Sequence, residues 1–115
     1  MKNTASVLLL ALSLISAATT QIRAEPLHHC ADDAVKQAGK LLRFHGDNDD
    51  RAEVDSKTLK VISPIKVSSG KGHLDVLEVL GFIYKGEYRM RMIYAQMPND
   101  CVLMGQEILE MGNPY

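Results

Sequence analysis

The feature that most constrains the fold is residues 74–97, LDVLEVLGFIYKGEYRMRMIYAQM, in which two strand-like runs flank Lys85-Gly86. A two-residue turn at that position predicts a β-hairpin, because such turns join antiparallel strands in a defined register. The predicted register pairs Tyr84 with Glu87 and continues outward along both strands. One face is then apolar and belongs to the core. Its residues are Leu77, Val79, Gly81, Ile83, Tyr88, Met90, Met92 and Tyr94.

Three further segments complete the predicted architecture. Apolar residues recur every three or four positions from about residue 30 to 45, which predicts an amphipathic helix that ends before Gly46. Alternation from Leu59 predicts a first strand, and Pro64 assigns it to a sheet edge because proline cannot donate a ladder hydrogen bond. Residues 101–111 form the last predicted strand. The expected fold class is α+β, with one N-terminal helix packed on a four-stranded antiparallel meander.

The faces of the two outer strands are predicted from alternation alone. Alternation places Leu59, Val61, Ile65 and Val67 together on one face of the first strand. On the last strand it directs Cys101, Leu103, Gly105 and Leu109 toward the helix, but Glu107 then shares that face. A β-bulge near Gly105-Gln106 would resolve the conflict.

Residues 47–57, DNDDRAEVDSK, are interpreted as a solvated connection between the helix and the first strand. Their acids resemble a calcium loop, but the EF-hand spacing fails. Ala52 stands where the loop needs glycine, and Thr58 stands where it needs its final acid. The glycine-rich residues 68–73, SSGKGH, are interpreted as a turn between strands.

The first 24 residues are typical of a secretory signal peptide, because Lys2 precedes an apolar run of about 12 residues from Val7 to Ala18. A membrane-spanning helix needs roughly 20 apolar residues. Cleavage is expected after Ala24, with Ala18 as the alternative. The predicted organisation is a signal peptide, 1–24, and one small exported α+β domain, 25–115, in the periplasm rather than the extracellular medium.

Charge argues against nucleic acid as a partner. Without Lys2 and Arg23, the 13 basic residues become 11 against 14 acidic ones, so the net charge of the mature chain is −3. A mildly acidic domain has no general attraction to polyanions.

The two cysteines, Cys30 and Cys101, are predicted to form a disulfide, since export places them in an oxidising compartment where one pairing exists. The chain has no Cys-x-x-Cys motif, which argues against a redox enzyme. Lipidation of Cys30 is not expected either, because the preceding Leu27, His28 and His29 are unlike the small residues of such a processing site.

The histidines and methionines suggest an alternative function, a copper or zinc handling protein that uses His28, His29 and Met97. Met90 and Met92 also resemble a thioether copper site, but the hairpin register places both in the core. If the chain begins at Glu25, His28 is its fourth residue, whereas the amino-terminal copper motif needs histidine third. The preferred prediction is a protein without a metal or other cofactor.

The mixed, outer face of the sheet is the predicted functional surface. Apolar residues interspersed with arginine are typical of protein interfaces. The predicted partner-binding residues are Arg89, Arg91, Phe82, Leu80, Lys60 and Lys66. No nucleophile with a partnered base is evident, so we expect a non-catalytic binding or accessory module. Its partner would be an envelope or secreted protein or an anionic envelope component, with homodimerisation left open, and an ordinary solvated face is the competing interpretation.

Overall fold

A computed structural model describes residues 28–112 as one helix on a four-stranded antiparallel sheet. The elements are α1 (Ala31–His45), β1 (Ala52–Lys66), β2 (His73–Ile83), β3 (Gly86–Ala95) and β4 (Leu103–Gly112). The strand order is β1-β2-β3-β4, with β1 at an edge as Pro64 predicted. Cys30 and Cys101 form the predicted disulfide. The α+β meander is confirmed, whereas the predicted signal peptide lies outside the described residues.

The core lies between α1 and the sheet. Asp32 and Asp33 occupy the first turn of α1, where the helix dipole favours negative charge. The buried side of α1 carries Ala34, Ala38 and Leu42. Small alanines allow the helix to approach the sheet closely. The opposing sheet residues are Leu77, Val79, Met90, Met92 and Tyr94, all fully buried.

Gly81 permits this close approach at the centre of the sheet. A Cβ atom at Gly81 would lie 2.8 Å from Leu42 Cδ2 and 2.8 Å from Met90 Cε. It would also lie 3.1 Å from the carbonyl oxygen of Glu53. Leu42 therefore fills the space that a larger residue on β2 would take.

The β2–β3 hairpin has the predicted faces but not the predicted register. Ile83 pairs with Gly86, so the turn residues are Tyr84 and Lys85 rather than Lys85-Gly86. Tyr84 reverses the chain with a φ of 55°. Gly86 is the first residue of β3, and a Cβ there would lie 3.1 Å from the Tyr88 ring. The predicted pair of Tyr84 with Glu87 is wrong. Each residue of β2 pairs with the residue of β3 two positions before the predicted one. Because side chains alternate with a period of two, every residue keeps its predicted face.

β1 begins earlier than the sequence predicted, because residues 52–57 are strand rather than connection. Ala52 pairs with Ile83 and Asp55 with Leu80, after which residues 56–59 lie opposite Val79 alone. This large β-bulge is held by Thr58, whose hydroxyl donates to Asp55 O at 2.6 Å and accepts from the Leu80 N–H at 2.8 Å. The bulge hides the true alternation of the strand.

A second irregularity in β1, between Ile62 and Ile65, reverses the faces of the residues that follow. Ile65 pairs with Leu74, whose side of the sheet is opposite to the helix, and Lys66 pairs with His73. The predicted grouping of Ile65 with Leu59 and Val61 is therefore wrong.

β4 contains the bulge that the position of Glu107 required. Leu103 pairs with Tyr94 and Gly105 with Ile93, so Met104 is the additional residue, close to the predicted Gly105-Gln106. Beyond the bulge, Glu107 and Leu109 pair with arginines on the face opposite to the helix. The prediction that Gly105 and Leu109 face the helix is wrong, because the bulge exchanges the two faces.

Candidate functional site

The candidate site is the sheet face opposite to α1, which we call the outer face. Residues that pair directly across an antiparallel sheet share a face, so the register defines rows that cross the strands. From the hairpin end, the rows are Glu53–Phe82–Glu87–Gly112, Asp55–Leu80–Arg89–Leu109, Lys60–Glu78–Arg91–Glu107, Ile62–Val76–Ile93–Gly105 and Ile65–Leu74–Ala95. The third is the charged row and the fourth is the apolar row.

The centre of the charged row is Glu78, which is only 7% exposed. Arg91 Nε donates to Glu78 Oε2 at 2.9 Å, and Lys60 Nζ lies 3.5 Å from Oε1. Arg89 Nε lies 3.8 Å from Oε2. Burial acts to raise the pKa of Glu78, but the hydrogen bond and charge of Arg91, with the charge of Lys60, lower it overall. The carboxylate is therefore ionised at neutral pH and orients the cations around it.

The apolar row forms the other half of the surface. Val76 is 2% exposed although no helix covers this face in residues 28–112, because Ile62 and Ile93 flank it on the neighbouring strands. Ile65, in the next row, is 42% exposed. Branched apolar side chains therefore cross the sheet beside the charged row.

The structure brings together most of the predicted partner-binding residues. Lys60, Leu80, Arg89 and Arg91 occupy adjacent rows of the outer face. Phe82 lies at the hairpin end, 36% exposed, between Glu53 and Glu87. The placement of Lys66 on the outer face is wrong. Its pairing with His73 places it on the helix side of the sheet, because the irregularity after Ile62 exchanges the faces.

The sequence placed Glu78 on this face, diagonal to Arg91, and Ile62 on the same side as Lys60, but Glu78, Ile62 and Glu107 were not predicted as site residues. The predicted hairpin register placed Glu78 beside Ile93, whereas the observed register places it opposite Arg91. Placing the turn at Tyr84 and Lys85 instead of Lys85 and Gly86 would have paired Glu78 with Arg91. Placing Glu107 on the outer face depends on the bulge at Met104, and the alternation of the strand indicated only that a bulge was needed nearby.

The charge balance of the outer face is mixed. Its rows carry three basic residues and five acidic ones. The bases are Lys60, Arg89 and Arg91, and the acids are Glu53, Asp55, Glu78, Glu87 and Glu107. Such a surface complements a protein of mixed charge better than a polyanion.

A recess of about 490 Å³ lies beside Phe82 at the large β1 bulge. Its lining includes Glu53, Asp55 and Lys57. Lys57 N–H donates to Asp55 Oδ1 at 3.2 Å, so that carboxylate supports the bulge. The recess is an open, polar margin of the outer face.

The two histidines of the predicted metal alternative are engaged in other bonds, and Met97 lies 40% exposed between β3 and β4. Cys30 N–H donates to His28 Nδ1 at 3.0 Å, so Nε2 carries the proton that is donated to Asp75 Oδ2, 2.8 Å away. His29 Nε2 lies 3.1 Å from Asp100 O. His28, His29 and Cys30 place potential ligand atoms within 4.8 Å of one another, but the Cys30 sulfur is in the disulfide. This geometry supports the helix entrance and does not favour a metal site.

Comparison with protein-family models, curated proteins and solved structures returns no match to this chain. Among residues 28–112, no helix has the length and apolar character needed to cross a membrane.

Proposed function

We propose that this chain is a non-catalytic binding or accessory module, exported to the periplasm, that binds a protein through its outer face. The observation that carries the proposal is the apolar row, which crosses all four strands on the face that α1 leaves uncovered. Contiguous apolar surface beside arginines is characteristic of protein interfaces.

An ordinary solvated face would explain only part of this arrangement. The ion pairs of Glu78 account for the charged row, because each basic group near it has a carboxylate partner. They do not account for the exposed apolar side chains of Ile65, Phe82 and Leu109 on the same face. Exposed apolar side chains gathered on one face mark an interaction site more often than the same residues scattered singly.

The nature of the partner follows from the charge balance. Five acids against three bases disfavour an anionic envelope component, because the net field of the face would repel it. A secreted or envelope protein with its own apolar patch and mixed charges supplies the complementary chemistry.

Capture from an unreduced envelope extract tests the proposal. Replacing Ile65→Glu and Arg89→Glu together is expected to abolish capture, because a charge enters the apolar surface and a cation is reversed beside it. Arg91 is left unchanged, since its bond to the buried Glu78 makes reversal there costly to the fold.

The matched control is Lys36→Glu with Gln37→Glu on α1, which makes the same change in net charge away from the outer face. Capture should persist in this control. Equal capture by both variants would exclude binding through the outer face.

A further inference from the structure

We propose that the protein bound by the outer face is a second copy of this chain, related to the first by a two-fold axis that runs parallel to the strands between β2 and β3. This inference rests on the proposed function, because it requires the outer face to be an interaction surface. The order of charges along one row of the sheet favours this axis.

The charged row alternates in sign across the four strands, in the order Lys60, Glu78, Arg91 and Glu107. A two-fold axis along the strands places each row opposite the same row of the second copy. It reverses the order of the strands, so β1 faces β4 and β2 faces β3. Lys60 then faces Glu107 of the second copy, and Glu78 faces Arg91 of the second copy. All four positions meet the opposite charge, so the row is complementary to itself.

The apolar row fits the same axis. Val76 faces Ile93 of the second copy, and Ile62 faces Gly105, where the missing side chain leaves room for a branched residue. Sheets that pack face to face are separated by about 10 Å and rotated by about 30° because each is twisted. Pairs nearest the axis are therefore matched best. Glu78 and Val76 are already almost covered within their own chain, so the partly exposed side chains of Arg91 and Ile93 make most of the contact there.

The other in-plane axis, perpendicular to the strands, does not give this match. It would place each strand opposite the same strand of the second copy and reverse the order of the rows. Placed away from the charged row, it would face the charges of that row with uncharged side chains, whereas the axis parallel to the strands does so only in the two rows nearest the hairpin, where Phe82 faces Glu87 and Asp55 faces Leu109. Centred on the charged row, it would place Glu78 on Glu78 and Arg91 on Arg91. Like charges in contact across an interface oppose association, so the order of the row selects the axis parallel to the strands.

Arg91 has the donors to bind Glu78 of the second copy as well as Glu78 of its own chain. It uses Nε for Glu78 of its own chain, at 2.9 Å. A guanidinium has five N–H donors, so the terminal nitrogens can donate to a second carboxylate. Two copies would then form a ring of four alternating charges around the axis, made of both Glu78 and both Arg91 side chains.

The area is sufficient for a stable dimer. Four strands at about 4.8 Å spacing and roughly nine residues at about 3.3 Å give a face of about 600 Å². Two such faces together exceed the approximately 1,000 Å² expected of a specific interface. Pairing through β1 is less favourable, because its two irregularities and Pro64 interrupt the edge.

Charge reversal at the two ends of the charged row tests the proposal. Lys60 and Glu107 lie on opposite edge strands, and within residues 28–112 no ion pair joins them. Any coupling between these positions must therefore act between copies. Lys60→Glu places two glutamates against each other in a dimer, and Glu107→Lys places two lysines against each other.

Sedimentation velocity over about 1 to 100 μM measures the result. The wild-type chain should dimerise, and each variant alone should dissociate about tenfold more readily. An equimolar mixture of the two variants should recover the wild-type association, since every facing pair in the mixed dimer is again opposite in charge. Lys36→Glu on α1 is the control and should leave the dimer unchanged.

A wild-type chain that stays monomeric, or a mixture that associates no better than its components, would overturn the inference. Loss of envelope capture in the Ile65→Glu, Arg89→Glu chain would then still support the proposed function with a different protein as partner. Circular dichroism verifies folding. If Lys60→Glu does not fold beside Glu78, Lys60→Gln removes the attraction without adding a like charge, and should also weaken the dimer.

Discussion

Tyr94 is the residue at which the two layers of the fold are joined by a polar bond. Its side chain is fully buried, and its hydroxyl donates to Asp33 Oδ2 at 2.7 Å. Asp33 belongs to the first turn of α1, where its charge already complements the helix dipole. One hydroxyl therefore fixes the start of the helix over β3. Burial, followed by the bond and charge of Asp33, raises the pKa of Tyr94.

The first prediction is that Tyr94→Phe lowers the free energy of unfolding by about 1.5–3 kcal/mol, the usual worth of a hydrogen bond to a charged group. The ring remains, so packing is preserved. Urea denaturation measures the difference. Tyr84→Phe, at an exposed turn position, is the control and should have little effect.

The same variant has a pH signature. An unfolded tyrosine loses its proton near pH 10, whereas the raised pKa keeps Tyr94 protonated in the folded chain. Folded protein then binds more protons than unfolded protein, so the free energy of unfolding falls as the pH rises above about 10. Tyr94→Phe should reduce this alkaline loss of stability. Identical alkaline slopes in the two proteins would contradict the role given to Tyr94.

At the scale of elements, β1 shows how one side chain takes the place of backbone hydrogen bonds between two strands. Across the large bulge the backbone of β1 is too far displaced to pair regularly with β2, and the Thr58 hydroxyl takes over one donor and one acceptor. The two flanking segments of β1 consequently remain in the same sheet. The bulge also forms one wall of the recess beside Phe82.

We predict that Thr58→Val lowers stability by about 1–3 kcal/mol, because the Leu80 N–H and the Asp55 carbonyl both lose their partner while the side-chain volume is kept. Thr58→Ser should retain most of the stability, since the hydroxyl is preserved. Thermal denaturation of the three proteins measures the series. A valine variant as stable as the wild type would show that water replaces the hydroxyl without cost.

Local patterns predicted the elements better than the connections between them. The helix and the faces of β2 and β3 depend on periods of 3.6 and 2, which the side chains display directly. The bulges in β1 and β4 depend on a hydroxyl and an added residue, and they invert the period without changing composition. Lys66 was therefore placed on the wrong face. The charged row combines four registers, so no single segment of sequence contains it.

At the scale of the whole molecule, the Cys30–Cys101 disulfide joins the start of the helix to the start of β4 across 71 positions. By the chain-entropy model, a loop of this length stabilises a fold by about 4 kcal/mol. Cys30→Ala with Cys101→Ala should lose a comparable amount, measured by urea denaturation without reductant. Reduced wild-type protein should match this variant. If reduction does not shift the unfolding midpoint, the disulfide does not stabilise the fold.

The position of this disulfide also determines how the molecule responds to tension. A force applied between residues 28 and 112 passes through Cys30 into Cys101 and then along β4, and it bypasses every residue between the two cysteines. β4 is already extended at about 3.3 Å per residue, close to the reach of the chain. The oxidised protein is thus a nearly inextensible tether. After reduction, the force would pass through all the residues between the two cysteines, so the molecule could lengthen by unfolding them.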